Sequence, residues 1–132
     1  MIFALDSNVI SYMLRSDTNA LSRYREEEKN GHDFVIPAIV FYEVQRGLLA
    51  KKMDNRLLAF EKLCNSIKYV DFNKHVWQKT AELYARLRQQ GNLIDDADLF
   101  IAAFCIINEY TLVTNNENHF SRISELAYVN WV

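Results

Sequence analysis

Acidic side chains stand where buried strands are predicted to end and where the following helices begin. Asp6 comes directly after the apolar run Ile2-Phe3-Ala4-Leu5, and Glu43 lies early in the helix that follows a second buried strand. Asp98 lies in the first turn of a later helix, and Asn116 follows another short apolar strand. If these strands form a parallel sheet, their carboxyl ends share the edge where open α/β sheets bind ligands. We therefore expect three carboxylates and an amide to converge in one crevice.

Such a group of carboxylates predicts a site for a hard divalent cation. Clustered carboxylates repel one another and raise one another's pKa, and a cation between them relieves the repulsion. Oxygen ligands without a histidine or cysteine pattern favour Mg²⁺ or Mn²⁺. Such an ion lowers the pKa of water and neutralises phosphate charge. The natural reaction at this edge is therefore the hydrolysis of a phosphate ester.

Each of these residues also has an ordinary structural explanation. Asp98 stands three residues after Asp95, in the pattern of a capping box. Glu43 could pair with Arg46 on the surface of its helix. Taken together these explanations lose force, because none of them accounts for Gly47 one turn after Glu43. Glycine inside a helix costs about 1 kcal/mol relative to alanine, which indicates that something approaches that face closely.

Short apolar strands alternate with helical patterns along the whole chain. This alternation predicts an α/β fold with a parallel sheet covered on both faces. No internal repeat or domain boundary is visible, so residues 1–132 are expected to form a single domain. We predict strands at 2–5, 34–36, 67–70, 111–114 and 127–129, and helices that begin near Ser7, Thr18, Ala38, Asp54, Val76 and Asp95.

The helix starts carry residues of the types that cap helices. Ser7 and Asn8 are both good N-caps for the first helix, and Asp54 is expected to cap the fourth. Pro37 suits a first helical position, because it lacks the N–H that would be unpaired there. Asn30-Gly31 and Gly91 are expected to end two other helices.

Composition limits the functions that the chain can have. Its 132 residues carry a net charge of −2, so any nucleic-acid site must be local rather than a property of the whole surface. Cys64 and Cys105 lie in helical patterns and are expected to be free thiols of a protein in a reducing cytoplasm. No signal peptide is visible. The longest apolar run, residues 99–107, is too short for a membrane span, which needs about 20 residues.

Four motifs in this order resemble a PIN domain and, more narrowly, the VapC toxins of bacterial and archaeal toxin–antitoxin pairs. The resemblance covers essentially the whole chain. The motifs are Asp6-Ser7-Asn8 after an apolar strand, Tyr42-Glu43 with Gly47, Asp98 with the apolar residues 99–103, and residues 112–116 through Phe120.

This resemblance implies a fold, an activity and partners. The implied fold is a PIN-like three-layer α/β/α sandwich with a central, mainly parallel sheet. The implied activity is that of a Mg²⁺-dependent endoribonuclease, with Mn²⁺ as an alternative ion, that cleaves structured RNA, often tRNA. A homodimer is implied, together with a small VapB-type antitoxin that blocks the site in a hetero-oligomer. The protein would act in the cytoplasm, without a membrane.

The resemblance also assigns the site residues. The family's metal-binding acids map onto Asp6, Glu43 and Asp98, and its fourth polar position maps onto Asn116. The predicted catalytic residues are these four, with Asn116 positioning a water or a phosphate oxygen. Many relatives carry aspartate in the fourth place, and an amide adds no charge, so the number of metal ions stays open.

RNA would have to be drawn to this acidic pocket by basic groups around it. The candidate RNA contacts are Arg15, Arg46, Lys51, Lys52, Arg86 and Arg88.

Two other function classes agree with part of the pattern: another Mg²⁺-dependent phosphoesterase, and a catalytically weak PIN-like interaction module. Phosphatases that resemble haloacid dehalogenases need Asp-x-Asp after the first strand, where this chain has Asn8 in the second place.

Overall fold

The computed structural model describes all residues of the chain, Met1–Val132, as a five-stranded sheet flanked by helices. The strands are β1 (Ile2–Leu5), β2 (Asp33–Pro37), β3 (Lys68–Val70), β4 (Thr111–Val113) and β5 (Tyr128–Val129). The helices are α1 (Ser7–Leu14), α2 (Thr18–Lys29), α3 (Ala38–Ala50), α4 (Asp54–Ser66), α5 (Lys74–Gln89), α6 (Asp96–Asn108) and α7 (Glu117–Phe120).

The sheet has the order β3-β2-β1-β4-β5, and every pairing in it is parallel. In the central strand β1, Phe3 pairs with Phe34 of β2 on one side and with Thr111 of β4 on the other. The predicted α/β fold with a parallel sheet is confirmed. The chain lays β2 and β3 on one side of β1 and then returns to lay β4 on the other. The carboxyl end of β1 therefore lies at the switch point, where open sheets form a crevice.

The apolar patterns of the sequence become the core that holds this sheet. Phe3, Ala4 and Leu5 of β1 are buried, because a central parallel strand is covered on both faces. Helix α3 packs through Val40, Val44 and Leu48, one residue per turn, and all are buried. Burying each such side chain contributes about 1.5–3 kcal/mol. Glu43 and Gly47 lie on the neighbouring side of α3, where they line a groove together with Ser7 of α1.

Several helix starts lie one residue away from the predicted cap. Asp6 itself caps α1, because it has an extended backbone (φ −79°, ψ 157°) and its carboxylate accepts from the Ser7 N–H. Pro37 ends β2 and precedes α3 instead of taking its first helical position. Asp54 is the first residue of α4, and Met53 precedes it without a side-chain cap. Residue types indicate where a helix starts, but the cap is the residue that lies just outside helical φ and ψ.

The predicted helix ends agree with the structure. Gly31 (φ 82°) follows α2 and Gly91 (φ 69°) follows α5, both in the left-handed region that favours glycine. Cys64 and Cys105 are free, as expected, although Cys64 is only half-buried. None of the helices combines the length and the apolar character that a membrane span requires.

Candidate functional site

Asp6 is almost fully buried at the end of β1 and is held by donors on both of its oxygens. Its backbone N–H donates to the Val113 carbonyl over 2.9 Å, which extends the pairing of β1 with β4. Its Oδ1 accepts from the Ser7 N–H at 2.8 Å. Its Oδ2 accepts from the Thr114 hydroxyl at 2.7 Å and from the Asn8 amide at 3.2 Å. These bonds fix the carboxylate in one orientation.

The structure brings the three predicted acids together, as their mutual electrostatic effects indicate. Burial raises the pKa of Asp6, and the nearby Asp98 carboxylate raises it further, whereas the bonds from Thr114 and Ser7 lower it. Burial also raises the pKa of Glu43, and the charges of Asp6 and Asp98 add to that rise, whereas the Arg46 charge opposes it. Three elements that are distant in sequence, β1, α3 and α6, therefore bring like charges close enough to repel.

One oxygen of Glu43 is buried without a hydrogen-bond partner. Leaving a buried acceptor unpaired costs about 1–3 kcal/mol, and more when the group is charged. A cation beside this oxygen would supply the missing partner and would offset the repulsion from Asp6 and Asp98. The donor set consists of carboxylate oxygens, which are the ligands of Mg²⁺ and Mn²⁺. The residues present therefore suit a hard divalent ion.

Asp98 has a partner that the sequence reasoning missed. His119 lies in the short helix α7, and its Nδ1 is 2.7 Å from Asp98 Oδ2. In the tautomer with the proton on Nδ1, the ring donates to the carboxylate, which when ionised only accepts; in the other tautomer the same nitrogen accepts from the Asn116 amide at 2.9 Å. The Asn116 amide also donates to Asp98 Oδ2 at 3.3 Å. One atom each of Asp95, Asp98 and His119 lies within 4.8 Å of the others, so a metal on this side could take a histidine nitrogen only in place of a hydrogen bond from that nitrogen.

A sequence signal for His119 existed in its spacing. It stands three residues after Asn116, which places both on one side of a helical turn. The expectation of oxygen ligands alone stays a prediction, and the structure adds a histidine that contacts Asp98. The alternative of a capping box for Asp98 is not formed, since Asp95 precedes α6 without a side-chain cap bond.

Thr114 and Asn8 connect the acids to the loop that carries Asn116. The Thr114 hydroxyl donates to Asp6 and accepts from the Asn116 N–H at 2.9 Å. The Asn8 side chain donates to Asp6 and accepts from the Asn115 N–H at 3.0 Å. Asn8, expected only to start a helix, therefore also joins α1 to the loop after β4.

The basic candidates divide into two groups in the structure. Arg15, Arg46 and Lys51 line a groove of about 430 Å³ that Ser7 and Glu43 also line. Lys52 and Arg88 are exposed and do not line it, and Arg86 is engaged in an ion pair with Glu125. Arg56, which the sequence reasoning did not select, is a fourth cation of the groove.

Comparison with known proteins places this arrangement in a family. The PIN domain family matches residues 3–126. A protein of Rickettsia felis named Ribonuclease VapC2 is 30% identical over 132 residues, which are 99% of this chain and 98% of that protein. Ribonuclease VapC1 of Methanocaldococcus jannaschii is 37% identical over 115 residues, which are 84% of this chain and 81% of that protein.

A solved structure agrees with the same assignment. It is the crystal structure of VapBC2 from Rickettsia felis bound to a DNA fragment from their promoter. One of its chains superposes with a TM-score of 0.92 at 30% sequence identity, over 100% of both chains. The resemblance that the four motifs predicted is confirmed. The chain belongs to the PIN domain family, in the group of its VapC proteins.

Proposed function

We propose that this chain is a Mg²⁺-dependent endoribonuclease toxin that hydrolyses phosphodiester bonds in structured RNA, with tRNA as the substrate class. The observation that carries the proposal is the meeting of Asp6, Glu43 and Asp98 at the end of β1, with one Glu43 oxygen buried and unpaired. The names of the relatives, Ribonuclease VapC2 and VapC1, support RNA as the substrate. Residues 1–132 would act as one PIN domain.

The side chains take separate roles in this proposal. Asp6, Glu43 and Asp98 would hold the ion, for which Mn²⁺ is the alternative. A divalent ion bound there supplies charge neutralisation for the phosphate and makes water more acidic. Thr114 and Asn8 hold Asp6 in its orientation, and His119 holds Asp98. Asn116 would place a water or a phosphate oxygen, and hydrolysis would leave a 5′-phosphate and a 3′-hydroxyl.

The proposal includes partners. The similar Rickettsia felis chain was solved as a VapBC2 complex bound to promoter DNA. By that likeness this chain would form a homodimer and would be neutralised by a cognate VapB-type antitoxin. Action on RNA would take place in the cytoplasm. Light scattering of the protein, alone and after co-expression with the open reading frame next to its gene, would measure both assemblies.

The test of the activity is cleavage of unfractionated tRNA, followed by sequencing of the new RNA ends. Wild-type protein with Mg²⁺ should produce discrete cuts, and Glu43→Gln and Asp98→Asn should not. Glu61→Gln is the matched control, because Glu61 is exposed on α4 outside the site. Cleavage that persists in EDTA, or in the two site variants, would refute the proposed roles.

The same protein distinguishes the other function classes. If tRNA stays intact but bis(p-nitrophenyl) phosphate is hydrolysed with Mg²⁺, the chain is another phosphoesterase. If neither is hydrolysed, it is an interaction module. In all cases Mg²⁺ should raise the melting temperature of wild type, because a ligand that binds only the folded state stabilises it. Glu43→Gln should lose most of that rise.

A further inference from the structure

A groove leads away from the carboxylates between α1, α3 and the first turn of α4. Ser7 and Glu43 line it and also belong to the site, so the groove and the site are continuous. Arg15 lines it at the other end of α1. At 1.5 Å per residue, α1 rises about 12 Å between Ser7 and Arg15. A chain molecule with one bond at the carboxylates could therefore continue along this groove.

Four cations line the groove: Arg15, Arg46, Lys51 and Arg56. None of them forms a salt bridge, and Glu43 is the only acid among the lining residues. The helix dipole accounts for Arg15 and Lys51, which are the C-caps of α1 and α3. It does not account for Arg56, which lies in the first turn of α4, where the dipole disfavours a cation. In a chain of net charge −2, this is a local positive surface directly beside an acidic site.

Two of these cations are held over aromatic rings. The Arg15 guanidinium lies 4.5 Å from the centre of the Tyr12 ring, and that of Arg46 lies 5.1 Å from the centre of the Tyr42 ring. Such stacking leaves the edge of a guanidinium open to anions. In Arg15 the Nε–H donates to the Ser11 carbonyl at 3.4 Å, and the terminal N–H groups stay available. On α5, by contrast, Arg86 is neutralised by Glu125. Arg86 therefore adds no free charge on that helix, whereas the groove gathers four cations without an ion pair.

Gly47 lines the same groove in the middle of α3, and its conformation there does not require glycine. A Cβ at this position would meet no atom of the chain within 4 Å. The chain itself therefore does not exclude alanine, although alanine would make the helix more stable by about 1 kcal/mol. What the absent side chain provides is open space in the groove beside Glu43.

We infer that this groove binds the phosphate backbone of the RNA strand on one side of the scissile bond. This inference rests on the proposed nuclease function. Arg15, Arg46, Lys51 and Arg56 contact successive phosphates, and Gly47 lets the strand lie close to α3. The strand leaves the site along α1 and α3 and does not cross α5. Phosphate contacts of this kind carry affinity and register, and they do not read the base sequence.

The inference is tested by measuring the binding of fluorescein-labelled, unfractionated tRNA. Fluorescence anisotropy gives the affinity in EDTA at a series of KCl concentrations. Arg15→Gln, Lys51→Gln and Arg56→Gln should each weaken binding several-fold. Each should also reduce the slope of log affinity against log salt by about 0.7–0.9, the value for one lost phosphate contact. Arg88→Gln and Lys62→Gln are the matched controls, since both residues are exposed outside the groove.

Gly47→Ala supplies a second measurement that does not change charge. It should weaken tRNA binding without changing the salt slope, although the protein melts at a higher temperature. Groove variants that match Arg88→Gln in both affinity and slope would overturn the inference and leave the groove to a polypeptide such as an antitoxin. Wild-type cleavage of the same tRNA with Mg²⁺ is measured in parallel. If wild type does not cleave the tRNA, the proposed function is refuted. If wild type cleaves it but the groove variants bind tRNA as wild type does, only the phosphate contacts are refuted.

Discussion

Replacing Thr114 by valine tests whether the buried Asp6 carboxylate depends on the hydroxyl from the neighbouring strand. Thr114 is fully buried, and its hydroxyl donates to Asp6 over 2.7 Å and accepts from the Asn116 N–H over 2.9 Å. Valine has nearly the same shape but offers neither function. A hydrogen bond to a charged group contributes about 1.5–3 kcal/mol, and an unpaired N–H adds about 1 kcal/mol to the loss. We expect Thr114→Val to lose about 2.5–4 kcal/mol of unfolding free energy.

The expected shift in melting temperature follows from chain length. An unfolding entropy of about 2.1 cal/mol/K per residue amounts to about 0.28 kcal/mol/K for this chain, so the loss corresponds to about 9–14 °C. Thr114→Ser keeps the hydroxyl and removes one methyl group, which costs about 1 kcal/mol, or about 4 °C. Thermal unfolding followed by circular dichroism in EDTA compares the two. If the valine variant melts within a degree or two of the serine variant, the hydroxyl does not support Asp6.

The loss of stability in Thr114→Val (its deficit) should depend on pH in one direction. The Thr114 bond lowers the pKa of Asp6, so the valine variant should have a higher pKa for this carboxyl in the folded state. A raised acid pKa stabilises the folded state only where the group is protonated, and that contribution is lost as pH rises through the folded pKa. The deficit of Thr114→Val should therefore be larger at about pH 8 than at about pH 4. A deficit that grows towards acid would contradict this account.

Three further variants probe other parts of the site. Glu43→Gln should abolish cleavage, yet in EDTA at neutral pH it should melt at a higher temperature than wild type. Burial raises the pKa of Glu43, so its negative charge destabilises the folded protein above that pKa. A lower melting temperature of the variant would show that the carboxylate is satisfied without metal. Gly47→Ala should raise the melting temperature by about 3–4 °C, the equivalent of about 1 kcal/mol, and a decrease would reveal a clash in α3. His119→Ala should raise the Mg²⁺ concentration needed for half-maximal cleavage by about 10–100-fold. His119→Asn should recover part of the loss, because its amide can replace the Nδ1 donor to Asp98. Equal effects of the two variants would show that His119 does not position Asp98.

The elements of this protein are readable from local patterns. Four apolar residues before Asp6 define β1, and the spacing of Val40, Val44 and Leu48 defines the buried side of α3. The spacing of apolar residues within an element shows which of its sides is buried, and a single sequence displays that spacing. The convergence of Asp6, Glu43 and Asp98 also followed, because parallel strands bring their carboxyl ends to one edge.

The contacts of the site depended on which strands are neighbours. Thr114 reaches Asp6 across 108 positions of sequence because β4 pairs with β1, and no local pattern encodes that pairing. His119 reaches Asp98 because α7 folds back over the start of α6. The groove likewise gathers cations from α1, α3 and α4, so Arg56 could not be told from other surface charges. The sequence by itself determined the strands, the helices and the three acids. Tertiary structure alone decided what holds those acids and which cations surround them, because such contacts are made between side chains that are far apart along the chain.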